Sequence, residues 1–251
     1  MTIKNMIKRL FNVLGADIVK LNKSPQQTLL GIRSYPIQTI IDVGANKGQF
    51  ARHISGIFPQ AQLYCFEPLP KPFQELEAWA KRQNQNQVTA LNFALGESDS
   101  STEMFLHIDH SPSSSLLATT ETSIHLFPQT KRQEKIPIKL TTLDNAYHRF
   151  FPDAVNDILI KLDVQGYEAQ VIRGGQEVFQ QAKACVLEVS LDSLYQEQAN
   201  FKDLLLMLDT LKFNYAGNLA QIYAKDGHVM LKMVMLSILM PFLLKKLPNY
   251  V

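Results

Sequence analysis

Thr39-Ile40-Ile41-Asp42-Val43-Gly44-Ala45-Asn46-Lys47-Gly48-Gln49-Phe50 is the stretch from which the fold can be read. A run of β-branched and apolar residues ends in an acid, turns through a glycine and enters a helix pattern. In an α/β protein this arrangement puts a nucleotide-like ligand at the carboxyl edge of the first strand. Gly44 permits a tight turn and a close approach to a ligand, where a Cβ would collide.

From residue 38 onward strand and helix patterns alternate. Strands are predicted over 38–43, 62–67, 88–93, 157–163 and 184–190, and helices over 47–57, 70–83, 142–149 and 167–181. Near-continuous apolar strands in a β-α-β-α-β series imply a parallel sheet covered on both faces. Right-handed crossovers then make it doubly wound. Residues 96–140 interrupt the rhythm with strand patterns at Met104–Ile108 and Ile136–Leu140 around a polar Ser111-Pro112-Ser113-Ser114-Ser115 tip. They read as a hairpin inserted after the third strand, either a substrate-site wall or a purely structural element. A further amphipathic helix pattern covers 197–211, with Phe201, Leu204, Leu205, Leu208 and Leu211 on its apolar side.

The 251 residues are 46% hydrophobic and 19% charged, which suits one globular domain with a large core. Three parts are expected: an N-terminal helix and connection (1–36), the main domain (37–228) and an apolar C-terminal tail (229–251). The net charge is only +2, and the basic residues gather at the ends: Lys4, Lys8, Arg9, Lys20 and Lys23 at one, Lys225, Lys232, Lys245 and Lys246 at the other. The acidic middle argues against nucleic-acid binding. Ile3, Met6, Ile7, Leu10, Phe11 and Leu14 fall at helical spacing. They fit a helix packed on the domain or one lying on a membrane surface. The run 229–244 is broken by Lys232, Ser237 and Pro241 and falls short of a spanning helix. A buried last strand followed by a docked or interfacial tail is expected there. Two cysteines and no secretory signal point to the cytoplasm, with peripheral membrane contact through the two ends as an addition.

Acids end successive strands: Asp42 the first, Glu67 the second and Asp163 the fourth, with Glu188 near the end of the fifth. A parallel sheet brings these ends to one edge, and carboxylates gathered there require donors or a cation nearby. A ligand with an ammonium group, a ribose diol and a sulfonium supplies both. Glu67 follows Gly44 by about 23 residues, the offset at which an acid accepts hydrogen bonds from ribose hydroxyls. The full Gly-x-Gly-x-x-Gly pattern is missing, which disfavours an NAD-dependent oxidoreductase and leaves S-adenosylmethionine as the better fit.

Gly44-Ala45-Asn46-Lys47-Gly48, Phe66-Glu67-Pro68, Asn92-Phe93-Ala94-Leu95-Gly96 and Lys161-Leu162-Asp163-Val164-Gln165-Gly166-Tyr167-Glu168 occur in this order. Together they resemble the FkbM family of S-adenosylmethionine-dependent methyltransferases, over residues from about 38 to 215. The resemblance implies a seven-stranded, mostly parallel, Rossmann-like class I methyltransferase sheet and O-methylation of a sugar, glycan or other small metabolite. It also implies roles by position. Asp42, Gly44, Asn46 and Gly48 would hold the methionine portion, Glu67 the ribose, and Asn92 and Ala94 the adenine edge. Asp163 and Gln165 would line the junction with the acceptor. Strand order 3-2-1-4-5 in this class would separate Cys65 and Cys185 by roughly 14 Å. That exceeds the ~7 Å Cα limit of a disulfide, so both are expected as free thiols.

A hydroxyl acceptor benefits from a general base. Asp163 is the first candidate and Glu188 the second. A divalent cofactor ion held by Asp163 is possible chemistry that the residues do not specifically indicate. Asp42→Ala is expected to lose cofactor binding with the fold intact. For Glu168 the alternative to a site role is stabilisation of a helix N-terminus. His107 and His110 stand at a spacing that could bind metal, but the alternating pattern there reads them as solvent-facing, and Trp79 with Phe73 and Leu76 as packing. The chain departs from the family where Lys212 stands at a position often held by glycine, and in the Met- and Leu-rich run after Gly227. A non-catalytic protein of the same fold, acting in assembly or at a membrane, is the main alternative function.

Overall fold

The computed structural model describes residues 3–14, 24–83, 87–151, 156–223 and 229–237. In chain order the elements begin with α1 (Ile3–Val13), α2 (Pro25–Thr28) and a 3-10 turn at Leu29–Ser34. Then come β1 (Thr39–Val43), α3 (Gln49–Ser55), β2 (Gln62–Phe66), α4 (Pro70–Ala80) and β3 (Val88–Leu91). The insertion contributes β4 (Ala94–Leu95), β5 (Ser100–His107), α5 (Glu121–Leu126) and β6 (Gln133–Thr141). After α6 (Leu143–Phe150) follow β7 (Ile158–Leu162), α7 (Glu168–Arg173), α8 (Gln176–Gln181) and β8 (Ala182–Ser190). The described chain closes with α9 (Phe201–Thr210), β9 (Asn214–Tyr223) and β10 (Val229–Ser237).

The main sheet has seven strands in the order β3-β2-β1-β7-β8-β10-β9, and β4-β6-β5 form a second, three-stranded sheet. The first five strands of the main sheet are parallel, and β10 runs antiparallel between β8 and β9. The 3-2-1-4-5 order is therefore realised, and Cys65 and Cys185 are free and buried. Alternation along each strand sorts the core into two layers. Ile41, Val43, Ile160, Leu162 and Leu187 pack towards α6–α9, while Ile40, Leu63, Leu159 and Val186 pack towards the Leu29–Ser34 turn, α3 and α4. Burial of each such aliphatic side chain contributes roughly 1.5–3 kcal/mol. This is why the central strands are continuous apolar runs.

Several boundaries differ from the sequence reading. The single helix expected over 167–181 is two helices, because Gly174 lies against Gly96: a Cβ there would sit 1.9 Å from the Gly96 carbonyl oxygen. The third strand stops at Leu91, and Asn92 turns to donate to the Glu67 and Pro68 carbonyls. The last strand expected at the start of the 229–244 run is β10, paired inside the sheet, so only the boundary drawn at residue 228 shifts. The rest of that tail, 238–251 with Pro241, lies outside the described residues, as does Gly227.

His107 is buried rather than solvent-facing. Residues 111–119 fold back over β5, where Phe105 bridges Ser115 and His107 Nε2 lies 2.9 Å from Thr119 Oγ1. Helix α1 also differs from the packed alternative: Met6, Ile7, Leu10, Phe11, Val13 and Leu14 are all exposed. Trp79 packs as expected, with Leu76, beneath Gly48. Among the described residues, no helix is long and apolar enough to cross a membrane.

Candidate functional site

A cavity of about 470 Å³ opens at the carboxyl ends of β1, β2 and β7. That falls within the range of small-molecule sites. Of the sequence-predicted residues, Gly44, Asn46, Glu67, Ala94, Asp163 and Gln165 line it. Asn92, Gly48, Asp42 and Glu188 stand behind its wall, each in a different way.

Asp42 is fully buried and follows Ile40 onto the α3 side of the sheet. Its register partner on β7 is Lys161, whose Nζ is 3.0 Å from Asp42 Oδ1. The same ammonium donates to the Gly44 carbonyl at 2.8 Å and lies 3.5 Å from Asp163 Oδ2. Burial alone would push Lys161 down, but the Asp42 and Asp163 carboxylates outweigh it and keep the amine charged. The cation that the gathered acids require is thus part of the chain itself. Sequence reasoning missed Lys161, although one lysine in the buried run Ile158-Leu159-Ile160-Lys161-Leu162, in phase with Asp163, was a signal for it.

Gly44 adopts φ +74°, and a Cβ there would come within 1.9 Å of the Asp163 backbone carbonyl. The glycine is therefore demanded first by the packing of the two strand-end turns, β1 against β7. Left-handed backbone recurs around the cavity at Asn46 (φ 49°), Gly48 (φ 84°), Gln165 (φ 56°) and Leu29 (φ 46°). Non-glycine residues held there store strain, which concentrates at ligand sites. Gly48 itself faces Leu76 and Trp79 rather than the cavity.

Glu67 is buried at the cavity wall and accepts hydrogen bonds from the Asn46 and Leu69 amides, both at 2.8 Å. Burial pushes its carboxyl up to about 7, against the lowering effect of those two amides. Asp163 is 27% exposed and faces the cavity. Gln165 Nε2 donates to Asp163 Oδ1 at 2.7 Å and to Glu188 Oε2 at 2.6 Å, so one amide joins both carboxyls. Burial, and then the Asp163 charge, raise Glu188 well above the usual carboxylate range. Glu168 caps the turn, accepting from the Val164 and Gly166 amides, and burial raises it to about 7.

The insertion supplies the second wall through Met104, Ser111, Pro112, Ser114 and Leu116. Ser115 Oγ donates to the Gln165 carbonyl at 2.7 Å. Tyr195, also missed from sequence, places its hydroxyl 2.7 Å from the Ser113 carbonyl and 2.9 Å from Gln165 Oε1. Its single proton serves one of these acceptors at a time. His53 lies at the rim, and Phe50, Phe93 and Tyr167 give the cavity an aromatic lining. Among the described residues, no group of three or more His, Cys, Asp or Glu side chains is placed to hold a metal ion.

The family profile described as Methyltransferase FkbM domain matches residues 42–216. The chain is 24% identical over 192 residues to the 2-O-methyltransferase NoeI of Sinorhizobium fredii, covering 73% of this chain and 76% of that protein. It is 27% identical over 158 residues to the methyltransferase sdnD of Sordaria araneosa, covering 55% of this chain and 60% of that one. Among solved structures it resembles the FkbM methyltransferase of Methylobacillus flagellatus, with TM-score 0.51 and 14% identity. That match covers 86% of this chain and about half (48%) of the longer protein. Sheet order, strand-end acids and a profile match over most of its length agree: the chain belongs to the FkbM methyltransferase family.

Proposed function

We propose that the protein is an S-adenosylmethionine-dependent O-methyltransferase whose acceptor is a hydroxyl of a sugar, glycan or small metabolite. The observation that carries this reading is the convergence of Gly44, Glu67 and Asp163 on one cavity at the strand ends. The residues fit the cofactor. Glu67 offers a buried acceptor for a ribose diol, Phe93, Ala94 and Leu95 offer an apolar slot for a base, and Asp163 offers an open carboxylate beside the glycine turn. The relative named as a 2-O-methyltransferase supports an oxygen acceptor.

When bound, S-adenosylmethionine supplies a methyl group already activated by its sulfonium. The chain's residues then have to hold the acceptor oxygen in line and take up its proton. Asp163 takes that proton. Glu188, which holds its own proton near neutral pH, hydrogen-bonds Asp163 and steadies the carboxylate through Gln165. Lys161 fixes the backbone of the Gly44 turn and neutralises the acids beneath it.

Calorimetric titration with S-adenosylmethionine tests the first half. Folded protein that fails to bind at millimolar cofactor removes the proposal. A panel of hydroxylated glycans and metabolites tests the second half. There Asp163→Asn is expected to lower turnover by about 10²–10⁴-fold while cofactor binding stays within several-fold. Cofactor binding with no turnover on any acceptor would favour the non-catalytic alternative.

A further inference from the structure

The methyltransferase reading leaves α1 without a task. Its apolar positions 3, 6, 7, 10 and 11, continued by Leu14 just past its end, form one stripe, and those with described side chains are open to water, Leu10 at 62% and Leu14 at 73%. Single exposed apolar residues are ordinary, but a continuous stripe marks an interaction surface. The five parallel strands are already covered on both faces, by the Leu29–Ser34 turn with α3 and α4 and by α6–α9, so the core offers α1 no bare sheet face there.

The charge pattern selects the occupant. Lys4, Lys8 and Arg9 are the charged residues of α1, and the helix contains no acid. By helical position, Lys4 and Lys8 border the stripe on one side and Arg9 borders it on the other. Packing two copies stripe to stripe would crowd six cations along one seam. A surface of anionic headgroups over acyl chains instead accepts the stripe and attracts a helix whose charged residues are all basic. Eleven residues make a helix about 16 Å long, too short to span a bilayer and suited to lying in its surface.

We infer that α1 lies in the surface of an anionic membrane and holds the methyltransferase domain beside it. The inference is independent of the identity of the cofactor or acceptor. A methyltransferase held there works at an interface, where an acceptor carried on a lipid is concentrated in two dimensions.

The test is density-gradient flotation of the full chain with vesicles of phosphatidylcholine alone or with about one-third phosphatidylglycerol. Flotation is expected with the anionic vesicles, weakening as salt rises, and not with the neutral ones. Leu10→Asp with Phe11→Asp, and separately Lys4→Glu with Lys8→Glu, should each reduce the floated fraction about tenfold or more. Unchanged circular dichroism and thermal midpoint in both variants would show that the domain is intact. No flotation on anionic vesicles, flotation undiminished in both variants, or an α1-dependent dimer that stays at the bottom of the gradient would overturn the inference.

Discussion

The cavity has two walls built in different ways. The strand-end wall, with Gly44, Glu67 and Asp163, begins where β1, β2 and β7 end, so sheet register sets its positions and a buried ion pair joins β1 to β7 beneath it. The insertion wall, Ser111–Leu116, is held from outside by Ser115 on Gln165 and by Tyr195 on Ser113, contacts that cross 50 and 82 residues of chain. The first wall is fixed by burial, several kcal/mol at a time. The second rests on individual hydrogen bonds worth about 1 kcal/mol each. The second wall can therefore be altered with little consequence for the first.

The largest expected effect tests the first wall. Asp42 lies beneath the cavity, so Asp42→Ala should strike folding before it strikes ligand binding, contrary to the reading from sequence. Removing it leaves Lys161 buried with only Asp163 as a counterion, at an expected cost of about 3–5 kcal/mol. Urea denaturation measures this. Asp42→Leu combined with Lys161→Met should recover most of the loss, because an apolar pair of similar size avoids the desolvation of both charges. A single-variant cost below about 1 kcal/mol, typical of surface pairs, would break the distinction between the walls.

The second effect is pH-dependent. Glu168 is held at about 7 in the folded protein against about 4.5 when unfolded. Between those values the folded state binds the extra proton. This contribution is therefore favourable at pH 4.5 and is lost progressively as pH rises through 7. Glu168→Gln keeps an oxygen for the Val164 and Gly166 amides without the charge. It should match the parent below about pH 4.5 and exceed it by about 3 kcal/mol at pH 8. Glu67, also near 7, retains its own share of the decline in both proteins. Parallel stability–pH curves for parent and variant would refute the assignment.

The two walls also differ in how far the sequence exposed them. Strand ends were legible because short continuous apolar runs closed by an acid are local signals, and Glu67 and Asp163 line the cavity at those ends. The facing direction of Asp42 was not legible. It depends on which face the alternation takes at Ile40, and on Lys161, which lies 119 residues away and is opposite only in the register. Tyr195 and the burial of His107 were hidden for a related reason. Both depend on the fold-back of 111–119, which no periodicity in that polar stretch announces.

Tyr195→Phe probes the second wall with a smaller expected effect. The ring stays buried, and the hydroxyl contacts to Ser113 and Gln165 vanish, at about 1–2 kcal/mol in stability. If the walls divide cofactor from acceptor, cofactor affinity should stay within about twofold while the acceptor KM rises or turnover drops about tenfold. Equal loss of cofactor affinity would show that Gln165 transmits the change and that the walls act as one.

The smallest effect belongs to a position on neither wall. Lys212 follows the last turn of α9 with φ +69°, a left-handed conformation that favours glycine. Its amide donates to the Asp209 carbonyl at 2.8 Å, and the Phe213 amide donates to Leu208 at 3.0 Å, the paired bonds of a Schellman termination. This gives the departure from the family at Lys212 a physical meaning: the backbone retains the glycine conformation while carrying a lysine. Phe213, the residue that follows, is buried against Phe179, so the termination also sets the entry of β9 into the sheet. Lys212→Gly should therefore relieve the left-handed strain and raise stability by about 0.5–1 kcal/mol, read as a small increase in thermal midpoint, with cofactor binding and turnover unchanged. A loss of stability would mean that the lysine side chain contributes more than its backbone costs. A change in turnover would mean that the α9–β9 junction reaches the cavity, which Leu219 and Ala220 of β9 line seven and eight residues beyond Lys212.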